Sequence, residues 1–320
     1  MVGAIGRRIR ISFTVIPLVL LVLALLASMI GIKPALASAT TTDFPATPAN
    51  VEVRENLVYR EIDGQQLALD ACLPKDDKTE HAAILVVHGG GWRNGNKETP
   101  QIRDVCELFA QEGFVALSVD YRLAPAHLYP AAIDDLDAAV RWLREPAQVA
   151  SLRIDPTRIG AFGSSAGGNL VGLLGSRGEG PLTKGARVSA VVSLSGPMVL
   201  TSAAMQFPGA QPQAAEVVLA YLGCPDIEHC PVAADASPIT HVDATDPPYL
   251  LVSSRDERLV HPEQAENMAA ALDKVGVENK VILWPGSEHA IALLVHPEIT
   301  EATLAFLHQH LDASTATPAA

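Results

Sequence analysis

Residues 158–169 read RIGAFGSSAGGN, and this stretch decides the fold. It opens on residues typical of a buried strand and ends on a helical pattern, with Gly-x-Ser-x-Gly centred on Ser165 between them. A serine on so tight a turn has a strained backbone, and a Cβ atom at Gly163 or Gly167 would crowd the neighbouring chain. Ser165 is therefore the candidate nucleophile. The structural alternative is a glycine-rich turn in which Ser164 or Ser165 caps the helix.

The sequence on either side of this turn alternates between strand and helix patterns. Apolar runs predict eight strands, near Val51–Tyr59, Leu67–Leu73, Ala82–His88, Phe114–Asp120, Arg158–Gly163, Ala190–Ser195, Tyr249–Ser254 and Lys280–Trp284. Helical periodicity predicts helices near Thr99–Glu112, Pro130–Arg144, Ala166–Gly175, Ala214–Leu222, Pro262–Val275 and Ala290–Leu311. From the third strand onward, this order requires parallel strands joined by right-handed crossovers. We predict an α/β fold with a mostly parallel eight-stranded sheet, flanked by helices and starting with an antiparallel pair.

A second glycine cluster follows the third predicted strand, in the sequence His88-Gly89-Gly90-Gly91-Trp92. Consecutive glycines leave backbone N–H groups open to close approach, which is what the stabilisation of an oxyanion requires. We predict that the amides of Gly90 and Gly91, together with that of Ala166, form an oxyanion hole. A flexible loop is the structural alternative. A phosphate-binding loop is excluded because the Gly-Lys-Ser/Thr ending is missing.

A nucleophilic serine also needs a base and a carboxylate, which follow it in the chain in this architecture. Asp256 lies two residues beyond the predicted strand Tyr249–Ser254, and His289 follows the next strand in the same way. Both would reach the edge of the sheet where Ser165 lies, so we predict a Ser165–His289–Asp256 triad. Three other carboxylates are weaker candidates for the acid: Glu257, Asp243 and Asp246.

The interval from Gly196 to Asp246 is longer than a single connecting helix requires, and it predicts a small lid insertion. It contains Cys224 and Cys230, two of the four cysteines, close together in a proline-rich stretch. We predict a disulfide between them. A zinc site would recruit His229 and a second ligand pair at metal spacing, which the sequence lacks. Neither a metal nor an organic cofactor is therefore expected.

The ends of the chain differ in composition from the region between them. Three arginines precede an uncharged apolar run, and the small-residue triplets after it end at Ala37 and Ala39. This pattern predicts that residues 1–37 are an export signal or an uncleaved membrane anchor, followed by a linker over 38–50. The folded domain spans 51–312, and 313–320 is a flexible tail. The pattern places the domain outside the cytoplasm, secreted or tethered by the N-terminal helix.

The charge balance bears on possible partners. Lys and Arg number 23 against 36 Asp and Glu, which gives a formal net charge of −13. This is the reverse of the basic surface that nucleic acids require, so nucleic acid is not an expected partner. We expect anionic membranes to repel the mature domain unless the N-terminal segment is kept as an anchor.

Taken together, these motifs resemble those of a known family. The turn at Ser165 and the glycine turn after the third predicted strand resemble those of the hormone-sensitive-lipase-like branch of the α/β-hydrolases. Two further stretches share this resemblance: Asp120-Tyr121-Arg122-Leu123-Ala124-Pro125 and Tyr129-Pro130-Ala131-Ala132-Ile133-Asp134-Asp135. Residues 256–262, DERLVHP, are more similar to feruloyl-esterase-like and acetyl-esterase-like bacterial enzymes.

The resemblance implies an α/β-hydrolase fold and a serine esterase. Such an enzyme cleaves small-molecule carboxylic esters, with short or sugar-linked acyl groups, through an acyl-enzyme. Two alternatives stay open: a serine hydrolase of amide bonds, arylformamidase-like or peptidase-like, and a catalytically silent binding protein on the same fold.

Overall fold

The computed structural model describes residues 47–78, 80–202 and 211–313. The predicted export signal or anchor, most of the predicted linker and nearly all of the predicted tail lie outside these residues. No described helix combines the length and apolar character needed to cross a bilayer.

The described chain builds an eight-stranded sheet with the strand order β1-β2-β4-β3-β5-β6-β7-β8. The strands are β1 (Val51–Ile62), β2 (Gln65–Pro74), β3 (His81–Val87), β4 (Val115–Val119), β5 (Ile154–Ser164), β6 (Ala190–Leu194), β7 (Tyr249–Ser254) and β8 (Asn279–Trp284). Strand β2 pairs antiparallel with β1 and β4, and the other neighbours are parallel. The predicted α/β-hydrolase architecture is confirmed.

Helices cover both faces of this sheet. They are α1 (Pro100–Gln111), α2 (Ala131–Leu143), α3 (Pro146–Leu152), α4 (Ala166–Ser176), α5 (Pro212–Leu222), α6 (Glu263–Val275) and α7 (Pro297–Leu311). Strand β3 is buried along its whole length, and its side chains alternate between two apolar cores. Leu85 and Val87 pack with α2 and α4, whereas Ile84 and Val86 pack with α1 and α7.

Two helical segments differ from the prediction. The predicted helix Ala290–Leu311 is instead a 3₁₀ segment, Ala290–Val295, followed by α7. Pro297 explains the break, because proline fits the first turn of a helix and drives the preceding residue out of helical geometry. Helix α3 was not predicted. It is only seven residues long, and the residue after its last one, Arg153, has a left-handed backbone with φ 56°.

Candidate active site

Ser165 lies on the tight turn between β5 and α4. Its backbone has φ 54° and ψ −121°, a conformation that L-residues rarely adopt. The turn is held by the Ser165 N–H, which donates to the Leu194 carbonyl oxygen at 2.8 Å. A Cβ atom at Gly163 would overlap the Gly167 carbonyl oxygen, and one at Gly167 would overlap the Val87 carbonyl oxygen. Both glycines are therefore required for this turn, as predicted.

His289 stands directly beside Ser165. It follows β8, and its Nε2 lies 2.9 Å from the Ser165 Oγ. Its Nδ1 is hydrogen-bonded to the Oε1 of Glu257. Because a carboxylate accepts hydrogen bonds, Nδ1 carries the proton and Nε2 of the neutral ring is free to accept one from Ser165.

The prediction that Asp256 is the carboxylate beside His289 is wrong. Arg255 and Asp256 form an exposed turn in which their N–H groups donate to the carbonyl oxygens of Trp284 and Gly286, each at 2.8 Å. This turn directs the Asp256 side chain to solvent and the Glu257 side chain into the protein interior. Glu257 is only 3% exposed and reaches the imidazole.

The other two acid candidates lie far from His289 along β7. Asp243 and Asp246 precede this strand, so they lie at its amino end, while the Ser165 turn lies at the carboxyl edge of the sheet. Asp246 has its Oδ1 3.5 Å from the Arg187 guanidinium, and burial raises the pKa of its carboxyl group to about 7. These contacts belong to the opposite end of the fold.

Two further groups hold the Glu257 carboxylate in place. The Ser195 hydroxyl donates to Oε2 at 2.7 Å, and the Val260 N–H lies 3.2 Å from Oε1. The Ser195 Oγ in turn accepts the Ala290 N–H at 3.0 Å, which ties it to the residue after His289. Ser195 was not singled out from the sequence. The signal was its position directly after β6, at the same sheet edge as Ser165.

The turn after β3 requires glycine at two of the positions predicted to form the oxyanion hole. Gly90 and Gly91 have φ 112° and 61°. A Cβ atom at Gly90 would overlap the Asn94 carbonyl oxygen, and one at Gly91 would lie 2.8 Å from the Val217 Cγ1. The amides of Gly90, Gly91 and Ala166 make no hydrogen bond with another described residue. All three residues line the same cavity as Ser165 and His289.

His88 packs against this glycine turn and stabilises it. Its Nδ1 donates to the Gly89 carbonyl oxygen at 2.7 Å, and its ring stacks on Tyr121 at 4.2 Å between centroids. Burial lowers the pKa of the His88 imidazole to about 4. The ring is therefore neutral at physiological pH and serves as a structural support.

The cavity beside Ser165 has a volume of about 530 Å³. Its walls are mostly apolar and include Trp92, Ile102, Leu200, Val217, Val218 and Leu259. Val217 and Val218 come from α5, so the predicted lid interval supplies one wall. Trp92 stacks on Tyr221 of the same helix, with ring centroids 4.4 Å apart, which fixes the helix over the glycine turn. A cavity of this size suits a small ligand.

Two disulfides are present among the described residues. Cys224 and Cys230 are joined after α5, as predicted, with their Cα atoms 5.3 Å apart. Cys72 of β2 and Cys106 of α1 form a second bridge, with Cα atoms 5.8 Å apart. Helix α1 also carries the lining residue Ile102. Each bridge therefore fastens an element that forms a wall of the cavity. The described residues include no cluster of three or more His, Cys, Asp or Glu suited to a metal ion.

The two bridges should differ in their effect on stability. The Cys72–Cys106 bridge spans 34 positions and the Cys224–Cys230 bridge six. By loop-closure entropy, the longer bridge should contribute about 3–4 kcal/mol to the free energy of unfolding and the shorter about 2–3 kcal/mol. We expect Cys72→Ala/Cys106→Ala to lower the urea midpoint more than Cys224→Ala/Cys230→Ala. A larger loss from the second pair would contradict this entropic account.

Known proteins resemble this chain in sequence and in structure. The BD-FAE family model matches residues 69–272. Esterase LipC of Mycobacterium tuberculosis is 32% identical over 255 residues, covering 75% of this chain and 60% of LipC. The chain spans less than two thirds of the length of these curated relatives: 60% of LipC and about a third of rat neutral cholesterol ester hydrolase 1.

Two solved structures illustrate the structural similarity. A truncated carbohydrate esterase from gut microbiota superimposes with a TM-score of 0.68 at 25% identity, covering 81% of this chain and 96% of that one. The Thermogutta terrifontis esterase Est2, solved with butyrate bound, gives a TM-score of 0.63 at 26% identity, covering 82% and 95%.

Proposed function

The chain belongs to the BD-FAE family, and on that basis we propose that it is a serine hydrolase that cleaves carboxylic esters through an acyl-enzyme. The observation that carries the proposal is the hydrogen-bonded series from Ser165 through His289 to Glu257, open to a small apolar cavity. The esterase names of LipC and Est2 support it. A silent binding protein would have no need of an unbroken series of this kind.

In the proposed reaction, Ser165 Oγ attacks the ester carbonyl carbon while His289 Nε2 takes its proton. The amides of Gly90, Gly91 and Ala166 donate to the oxygen that becomes negatively charged. Collapse of this intermediate expels the alcohol, which takes the proton from His289 and leaves an ester on Ser165. Water then attacks this ester with the same proton transfers, releasing the acid and restoring the hydroxyl.

Glu257 has two roles in this scheme. It accepts the Nδ1 proton of His289, which keeps the ring in the reactive tautomer, and its charge stabilises the imidazolium that forms during attack. The hydrogen bonds from Ser195 and Val260 fix the carboxylate so that no reorientation is needed during the reaction. Because Glu257 is buried behind His289, its charge acts on the ring and not on the substrate.

The cysteines and the N-terminal sequence bear on where the domain works. We propose that the domain works outside the cytoplasm, either secreted or tethered by its N-terminal segment. The two disulfides support this proposal, since such bonds persist in oxidising compartments.

The bond that is cleaved separates the proposal from its main alternative. We expect the purified domain to hydrolyse 4-nitrophenyl butyrate with a kcat/KM at least about 100-fold above that for the matched 4-nitroanilide, because nitrophenolate leaves without the protonation that an anilide nitrogen needs. Release of nitrophenol and nitroaniline is followed by absorbance. A higher kcat/KM for the anilide would favour the amidase alternative.

Acyl chain length gives a second expectation. Acetyl to butyryl esters should be turned over far better than esters of about ten carbons or more, because each methylene contributes about 0.8 kcal/mol only while it is buried. The lid interval interrupts its apolar residues with Thr201, Gln211 and Glu216, so it offers no continuous apolar surface to bury a long acyl chain. We expect kcat/KM across the 4-nitrophenyl series to peak at four carbons or fewer. A maximum at twelve carbons or more would contradict this.

A further inference from the structure

Arg93 carries the one permanent charge among the described residues that line the cavity. The other titratable residues in that lining are His88, His261 and His289, and it contains no lysine, aspartate or glutamate. The absence of lining carboxylates is notable in a chain with 36 acidic residues and a net charge of −13. The cavity therefore presents a positive charge within a negatively charged protein.

The backbone of Arg93 is fixed, while its side chain is exposed. Its N–H donates to the Gly90 carbonyl oxygen at 3.2 Å, and the Asn94 N–H donates to the same oxygen at 3.0 Å. The preceding residue, Trp92, is 3% exposed and stacks on Tyr221. Within residues 47–78, 80–202 and 211–313, the Arg93 guanidinium makes no hydrogen bond or ion pair.

Gln101 adds a second polar group to the same lining. It lies in the first turn of α1, and its exposed side chain makes no hydrogen bond with a described residue. A guanidinium offers a planar pair of donors that matches a carboxylate, and an amide adds one more donor.

We propose that the substrates of this site are anionic esters, in which a carboxylate separate from the scissile bond binds to Arg93, with Gln101 as an additional donor. This inference rests on the proposed ester hydrolysis and names the substrate class. Sugar acids and aromatic acids are two sources of such a carboxylate. The carboxylate belongs either to the alcohol part or to the acyl part of the ester.

Two matched substrate pairs test the proposal and distinguish these parts. On the alcohol side, 4-acetoxybenzoate is compared with its neutral isostere 4-acetoxybenzamide. On the acyl side, the mono-4-nitrophenyl ester of adipic acid is compared with that of its monoamide. The measured quantity is the ratio of kcat/KM for the anionic substrate to that for the neutral one, because this ratio cancels effects common to both.

We expect Arg93→Gln to lower this ratio about three- to fivefold in one of the two pairs, the size expected for an ion pair at an exposed side chain. Arg93→Lys should give an intermediate ratio, since lysine keeps the positive charge but lacks the planar pair of N–H donors of the guanidinium. Lys280→Gln is the matched control, because it removes the same charge from an exposed position at the amino end of β8. It should leave both ratios unchanged.

The possible outcomes separate this inference from the proposed function. The pair in which the ratio falls assigns the carboxylate to the alcohol or the acyl part. Equal ratios in the wild type and in Arg93→Gln, for both pairs, would overturn the role of Arg93 while leaving ester hydrolysis intact. An equal fall in the Lys280→Gln control would also overturn it, since the effect would then arise from net charge. Failure to hydrolyse any of the four esters would instead overturn the proposed function.

Discussion

Replacing Ser165 by alanine is expected to lower ester hydrolysis by roughly 10⁴-fold or more, because the variant lacks the oxygen that attacks the carbonyl carbon. A fluorophosphonate probe should label the wild-type domain at Ser165 and should not label the variant. A serine reacts quickly with such a probe only when a neighbouring imidazole takes its proton, and His289 Nε2 lies 2.9 Å from this Oγ. Peptide mapping of the labelled protein locates the modified residue.

Ser164→Ala is the control for this experiment. Ser164 ends β5, is 3% exposed and precedes the reactive turn by one residue. Its variant tests whether disturbance of the turn alone abolishes labelling. Retained labelling in Ser164→Ala, with loss in Ser165→Ala, is the expected pattern. Label on Ser164, or undiminished labelling of Ser165→Ala, would require a different nucleophile.

The features that the sequence predicts well depend on local chain geometry. The turn at Ser165 needs glycines at fixed offsets, because neighbouring carbonyl oxygens leave no room for a Cβ atom. The strands could be located because a buried parallel sheet requires continuous apolar runs. Local rules of this kind act over a few residues, so they can be applied before the fold is known.

The features that the sequence did not predict depend on packing between distant segments. The Cys72–Cys106 bridge requires β2 and α1 to approach within disulfide distance, which follows from the register of the sheet and not from spacing. The choice between Asp256 and Glu257 depends on the hydrogen bonds of this segment with the chain around Trp284 and Gly286. The Val260 N–H bonds back to the acid three positions earlier, which selects Glu257.

The adjacent acids Asp256 and Glu257 allow a direct test of this correction. We expect Glu257→Gln to lower kcat for 4-nitrophenyl butyrate by roughly 10²–10⁴-fold, comparable to the loss of the orienting acid in other triads. Asp256→Asn should stay within about twofold of the wild type, since an exposed side chain away from the imidazole contributes little. The two variants remove the same charge from neighbouring positions, so they are matched in sequence context.

The physical reason for the large effect is the tautomer of His289. A glutamine at position 257 places either an oxygen or an NH₂ group against Nδ1. When the NH₂ group faces the ring, Nδ1 must accept a hydrogen bond, the ring proton moves to Nε2, and Nε2 can no longer take the proton of Ser165. The Ser195 hydroxyl donates to Oε2 at 2.7 Å, whereas the Val260 N–H is 3.2 Å from Oε1. The shorter bond favours the rotamer that keeps the glutamine oxygen toward Ser195 and the NH₂ group toward His289. Substitution of the carboxylate therefore drives the ring into its unreactive form. Wild-type turnover in Glu257→Gln together with a large loss in Asp256→Asn would return the acid to Asp256 and would require the turn at 255–257 to rearrange when substrate binds.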